Sequence, residues 1–372
     1  MTGLTTLAYE VTGRVARIVL DRPERGNGIT RRLVSELEQC VEQADLDPSV
    51  HVILLAGKGK GFCGGYDLVE SAEGAGVAGE GGSGEEAPAG KAPGKGMPAE
   101  VPGGEVPGGE ATVGEVPGGE ASGGEVPRGG APGKEVPVTP VADPQARECS
   151  QPPPGSPLDP AVMAINHDPA GTWDPMVDYA MMSRNVRAFM SLFHCGKPVV
   201  CKVHGFCVAG GTDMALCSDL LVIAADAKIG YPPARVWGSP TTSMWMHRLG
   251  PQRAKRLLFT GDSLSGIEAL EWGLAIEAPL ANQLDERTEI LLERIARVPI
   301  NQLRMMKLLV NQSLYAQGLH STQALGTLLD GVARHTAEGY AFQRSAMQAG
   351  FREAVRWRDE PFGDHGASTF KG

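Results

Sequence analysis

The chain has 372 residues and a formal net charge of −10, but residues 72–160 alone hold roughly half of the 50 glycines, over half of the 28 prolines, and 14 acidic against 5 basic residues. A stretch so poor in large apolar side chains cannot bury a core; it reads as a disordered insert, and about 280 residues remain for one sizeable core plus an appendage. The near-neutral remainder has no basic stripe for nucleic acid, no basic-then-apolar leader and no apolar run long enough to cross a bilayer, which points to the cytoplasm.

Residues 7–11 and 15–20 read as paired strands around Thr12-Gly13-Arg14. A polar loop, Leu20-Asp21-Arg22-Pro23-Glu24-Arg25-Gly26-Asn27-Gly28-Ile29, follows. Thr30 is placed to cap a helix to about residue 44, with Leu33, Leu37 and Val41 on one face. Residues 51–56 form the next strand, and this βαβ rhythm predicts a mostly parallel sheet with ligands at the strand C-terminal ends. The strand runs into a first glycine-rich turn, Gly57-Lys58-Gly59-Lys60-Gly61-Phe62-Cys63-Gly64-Gly65-Tyr66-Asp67-Leu68. Within the insert, Glu-Val-Pro-Gly-Gly recurs from Glu100, Glu105 and Glu115, and no unit has enough apolar surface to stack as a solenoid.

Order is expected again around Trp173-Asp174-Pro175, opening a helix to about residue 194 with Met182, Val186, Phe189, Met190 and Phe193 on its core face. The apolar strand 198–203 then enters a second glycine-rich turn, Val203-His204-Gly205-Phe206-Cys207-Val208-Ala209-Gly210-Gly211-Thr212-Asp213, which opens into a helix from about Thr212. A strand that becomes a helix across a glycine pair leaves backbone N–H groups at the positive end of the helix dipole, a seat for an oxygen carrying negative charge. The same pair could serve only to let a helix pack close to a strand. Asp213, one turn inside the helix, is placed to act as an acid or base. Strands are expected at 219–225 and 228–230, helices at 241–249, 251–260, 265–272 and 280–297, more helices from 299 to about 354, and a frayed polar tail from 357. The seven cysteines form no C-x-x-C pair or zinc spacing and read as reduced.

Two patterns in order, G-x-G-x-x-F-C-x-G-x-D-L at 57–68 and K-P-V-V-x-x-V-H-G-x-x-x-x-G-G-x-D-x-A-L-x-x-D at 197–219, resemble the crotonase superfamily, the enoyl-CoA hydratase/isomerase fold. The loop at 20–29, the segment 229–240 and the segment 261–274 are similar to further elements of that family. The resemblance implies an α/β, crotonase-like ββα spiral core in two parts, 1–71 and 161–298. A C-terminal helical region, 299–372, would pack on neighbouring subunits as a homotrimer or dimer of trimers. The substrate would be an acyl-CoA thioester, with coenzyme A as part of it, no tightly bound cofactor and no metal. Its carbonyl would lie between the backbone N–H groups of Tyr66 and Gly210, with Asp213 as the acid/base. Arg25, Gly64, Tyr66, Asp67 and Leu68 would line the coenzyme A.

Two departures bear on the chemistry. The family's two-acid hydration uses two glutamates; here one position holds the shorter Asp213 and the other holds Pro233, which exchanges no proton. Efficient two-glutamate hydration is therefore not expected. Double-bond isomerisation, thioester hydrolysis and C–C cleavage through an enolate stay open, beside a catalytically silent acyl-CoA binding or assembly protein.

Overall fold

Apolar runs that alternate with capped amphipathic segments fold as the βαβ rhythm predicts in the computed structural model, which describes residues 3–67 and 152–363. The pentapeptide repeat, Leu68 and Cys149 lie outside the described residues. Strands β1 (Leu7–Thr12) and β2 (Val15–Leu20) pair antiparallel, with Gly13 in the left-handed region at the turn. Strands β3 (Val52–Gly57), β4 (Val199–Val203) and β6 (Leu220–Ile223) extend the sheet in parallel, in the order β1-β2-β3-β4-β6. Leu55 faces Cys201, and Cys201 faces Leu221. The parallel strands are apolar almost throughout, as expected where both faces of a sheet are covered.

Helix α1 (Arg31–Leu46) starts where expected, because the Thr30 hydroxyl accepts a hydrogen bond from the Leu33 N–H. It packs against α3 (Pro175–His194), capped in the same way by Asp174. A further helix, α2 (Pro160–Asn166), precedes α3, so order resumes before Trp173. Its start combines an Asp159 cap with proline at the first helical position, a local signal that the surrounding proline count obscured.

A smaller sheet carries the second glycine turn: β5 (Phe206–Val208) pairs in parallel with β7 (Lys228–Gly230), which pairs antiparallel with β8 (Ser263–Ser265). Helix α4 (Gly210–Ala215) follows β5 and begins two residues earlier than its polar side chains suggested. The two helices expected at 241–249 and 251–260 are both present, as the two halves of α5 (Met244–Thr260) on either side of a non-helical Gly250 before Pro251. Helix α5 starts three residues late, since Thr242 is engaged with Asp213 instead. Helices α6 (Gly266–Glu271) and α7 (Leu284–Ala296) complete the core, α6 opening on a capping box between Ser265 and Glu268.

Four helices close the chain: α8 (Ile300–Ala316), α9 (Leu319–Arg334), α10 (Ala337–Ala349) and α11 (Phe351–Asp359). The expected fraying from residue 357 does not occur at Asp359, which is buried and receives Arg235 at 3.0 Å. On α8, Met305, Leu308, Leu309 and Val310 are exposed. Among the described residues no helix is long and apolar enough to cross a membrane.

Candidate active site

The two glycine turns lie side by side because their main chains bond to each other directly, with the Phe206 ring of the second turn lying on Gly61 of the first. Phe62 and Cys63 N–H groups donate to the Phe206 carbonyl, and Val208 N–H donates to that of Cys63. Gly205, at φ +58°, sits so close to the first turn that a Cβ would fall 1.9 Å from the Lys60 carbonyl oxygen. A Cβ on Gly211 would fall 2.8 Å from the Cys63 oxygen. Between them Ala209 is held at φ 55°, ψ −132°, a conformation costly for any side chain and typical of functional turns. Its N–H donates to Gly230 and its carbonyl accepts from Thr212.

This packing sets residue 66 beside residue 210. Gly65 and Asp67 bond to Ile29 through their carbonyl and N–H respectively, so the N–H of Tyr66 faces the other edge of the segment. A Cβ on Gly65 would contact Ala209 and lie 3.7 Å from the Gly210 nitrogen. The Tyr66 ring lies across Gly210, where a Cβ would fall 2.7 Å from its Cε2. Among the described residues, neither the Tyr66 nor the Gly210 N–H donates a hydrogen bond within the protein.

Asp213 lies three residues along α4 from Gly210 and is fully buried. Its Oδ1 accepts from the Thr242 N–H at 3.0 Å and the Thr242 hydroxyl at 2.8 Å. Its Oδ2 is buried without a hydrogen-bond partner. Burial pushes this carboxyl up to about 7, the two Thr242 bonds oppose the rise, and the negative charge of Asp330 adds to it. Such a group carries a proton or releases it near neutral pH, which a general acid/base requires.

The enoyl-CoA hydratase/isomerase sequence pattern matches residues 10–86 and 174–342, about two-thirds of the chain. The chain belongs to this family, within the crotonase superfamily. An enoyl-CoA hydratase structure from Mycobacterium smegmatis is 46% identical, with a TM-score of 0.75 over 100% of this chain and 98% of that one. A putative enoyl-CoA hydratase of Mycobacterium tuberculosis, EchA13, is 26% identical over 82% of this chain and 73% of its own length. A hydrolase of the same organism, named for (7aS)-7a-methyl-1,5-dioxo-2,3,5,6,7,7a-hexahydro-1H-indene-carboxyl-CoA, is 34% identical over only 27% of this chain and 40% of its own.

Beside this crotonase-type turn pair lies a charged loop. Asp67, buried, receives Arg22 at 3.0 Å and Arg25 at 2.7 Å. The Arg25 side chain is still 40% exposed, and the Gly64 N–H donates to Gly26, which fixes the loop against the first glycine turn. Asp67 thus acts as the counter-ion that orients two guanidinium groups. The neighbouring thiols are not nucleophiles: Cys63 and Cys207 are fully buried, and burial pushes Cys63 up to about 12 and Cys207 well above its ordinary value. His204 fixes the turn through the Gly59 carbonyl, and Asp219 is spent on the Val199 N–H and Lys307.

Pro233 lies in a 3-10 turn, Pro232–Arg235. Tyr231, two residues before it, neighbours Asp213 electrostatically; its hydroxyl donates to the Ser239 carbonyl. Arg235 is buried against Asp262 and Asp359, and Trp237 packs on Phe342 and Phe351. Two residues beside the site carried no sequence signal. Thr242 and Asp330 come from segments whose local patterns give no hint of a carboxylate partner. Asp330 on α9 accepts from the Ser239 N–H and pairs with Arg334 at 2.8 Å, so it holds one end of the 239–242 loop while Asp213 holds the other.

His167, Asp178 and His335 form the one His/Asp group of metal-ligand spacing found among the described residues. Arg334 already approaches Asp178 at 3.3 Å, and both ring nitrogens of His335 face carbonyl oxygens of Gly331 and Asn166. These contacts tie α2, α3 and α9 together.

Proposed function

We propose that this enoyl-CoA hydratase/isomerase-like enzyme holds the carbonyl oxygen of an acyl-CoA thioester between the Tyr66 and Gly210 N–H groups. Asp213 moves the proton whose transfer makes or quenches the enolate. One observation carries the reading: two backbone donors without acceptors among the described residues stand beside a buried carboxyl whose Oδ2 is likewise unpartnered there. Backbone donors aimed at developing charge in a water-poor site need no reorganisation during reaction, and losing one such donor typically costs roughly a hundred- to a thousandfold in rate. On this reading Arg25 faces the phosphates or pantetheine of coenzyme A, with Gly64 and Asp67 fixing its loop. The exposed apolar side chains of α8 fit burial against a second copy of the chain, in a homotrimer or dimer of trimers.

The test is turnover of a panel of enoyl- and acyl-CoA thioesters by wild type and Asp213→Asn. General acid–base catalysis contributes roughly a hundred- to ten-thousandfold, and Asp213→Asn is expected to lose that much in kcat. Turnover untouched by the substitution sinks the assignment of Asp213. Binding of the thioesters without any turnover favours the second reading, a silent acyl-CoA binding protein, which Pro233 at the second acid position supports.

A further inference from the structure

We propose that the Tyr66 side chain, and not only its backbone, takes part in the reaction: its hydroxyl is the second proton-handling group, donating to the carbon α to the thioester carbonyl. The inference rests on the reading above and supplies the acid that Pro233 cannot.

The geometry comes from α4. Residues three apart on a helix share a face, so Gly210 and Asp213 lie one above the other. The Tyr66 ring crosses Gly210, with Cε2 at 2.7 Å and Cδ2 at 3.1 Å from the place a Cβ would take. That position only a glycine allows. The phenol is thereby carried along the first turn of α4 to the neighbourhood of Asp213, the charged group that acts on it most strongly. Among the described residues, the buried Tyr66 hydroxyl and Asp213 Oδ2 have no hydrogen-bond partner. Two unpartnered polar atoms, one on the first turn of α4 and one on the ring lying across it, fit a site whose partner is substrate or water, because buried polar groups are usually paired. Asn185 on α3 stands beside the hydroxyl without reaching hydrogen-bond geometry.

The other candidates are already engaged. Tyr231 donates to Ser239, and Asp330 is held by Ser239 and Arg334. Cys63 donates to the Asn27 carbonyl and Cys217 to that of Asp213. Burial, with the nearby Asp213 charge, pushes the Tyr66 phenol well above its ordinary value. It therefore carries its proton at neutral pH.

For a 2-enoyl thioester the step balances as follows. Asp213 takes a proton from a water while that oxygen bonds to the β-carbon. The carbon–carbon π pair moves toward the α-carbon and the thioester oxygen. The Tyr66 O–H bond breaks as the α-carbon–hydrogen bond forms, and the phenolate recovers its proton from the Asp213 carboxylic acid. One water has been added, and both side chains are restored.

The experiment compares full-length wild type, Tyr66→Phe and Asp213→Asn on 2-enoyl-CoA thioesters. It also follows α-deuterium uptake by the 3-hydroxyacyl-CoA product in D2O by mass spectrometry. Tyr66→Phe keeps the backbone donor. It is expected to lower kcat and α-exchange together by roughly a hundredfold or more, with KM changed only a few-fold. A proton inventory on wild-type kcat gives a reading that needs no variant: curvature from two protons in flight supports the proposal, and a linear inventory overturns it. Tyr66→Phe that keeps kcat and α-exchange, or that raises only KM, overturns it while an inactive Asp213→Asn leaves the broader reading standing. A wild type that turns over none of the thioesters removes both.

Discussion

At the scale of single residues, the proposed chemistry depends on a carboxyl that the fold holds at some expense in stability. Asp213 keeps its proton up to about 7 in the folded chain, whereas in the unfolded chain it releases it near its ordinary value of 3.8. Between those limits the native state binds more protons than the unfolded one. Stability therefore falls as pH rises through this window, and the loss is complete above about 7. Asp213→Asn removes the ionisation, so its melting temperature should equal or exceed that of wild type at pH 8, with the difference smaller at pH 5 and closing only below the ordinary value of 3.8. Thermal melts at the two pH values check this; a variant that melts lower at pH 8 than at pH 5 relative to wild type contradicts it. Thr242→Val deletes one of the bonds that favour the carboxylate, so the carboxyl should rise further. The alkaline-going limb of kcat/KM, on which Asp213 becomes the base, should then move to higher pH. An unshifted profile would mean that another group sets it.

At the scale of elements, the site is a product of two turns whose contact tolerates no side chain. Gly205 combines a left-handed backbone with main chain 1.9 Å from where a Cβ would stand. Relief requires moving the first turn, and with it Tyr66. Gly205→Ala should therefore cost about 2 kcal/mol or more, above the usual penalty for alanine at positive φ. Urea unfolding measures it, and a cost under about 0.5 kcal/mol would show that the turns separate freely. The glycine patterns were readable in the sequence as strand–turn–helix units. Their mutual approach was not, because hydrogen bonds such as Val208 to Cys63 join segments far apart in the chain. Helix α4 starts ahead of Thr212 for a related reason. Gly210 and Gly211 are poor helix formers alone, and the Tyr66 and Ile29 side chains over Gly210 and Cys63 against Gly211 hold them in place.

At the scale of the whole molecule, the C-terminal helices present apolar surface that the single chain leaves open. Met305, Leu308 and Leu309 follow each other at helical spacing on α8, with Leu308 at 72% and Leu309 at 67% exposure. Contiguous apolar patches of this kind mark association surfaces. Light scattering coupled to size exclusion should find an assembly of identical chains, and Leu308→Glu with Leu309→Glu should shift it toward the monomer. A monomeric wild type would leave this face without the proposed role.

By itself, the sequence determined the order of most strands and helices, the Thr30 cap and the glycine turns, because those signals act over about four neighbouring residues, but not α2, β5 or β8. Thr30 below Leu33 and Ser265 with Glu268 are legible from spacing alone. Only tertiary structure decided the partners of buried charge. Thr242 reaches Asp213 across 29 positions, and Arg235 holds Asp359, and with it α11, across 124. Periodicity carries no information over such separations; what selects these pairs is the cost of leaving a desolvated carboxyl or guanidinium unpaired once the core has closed around it.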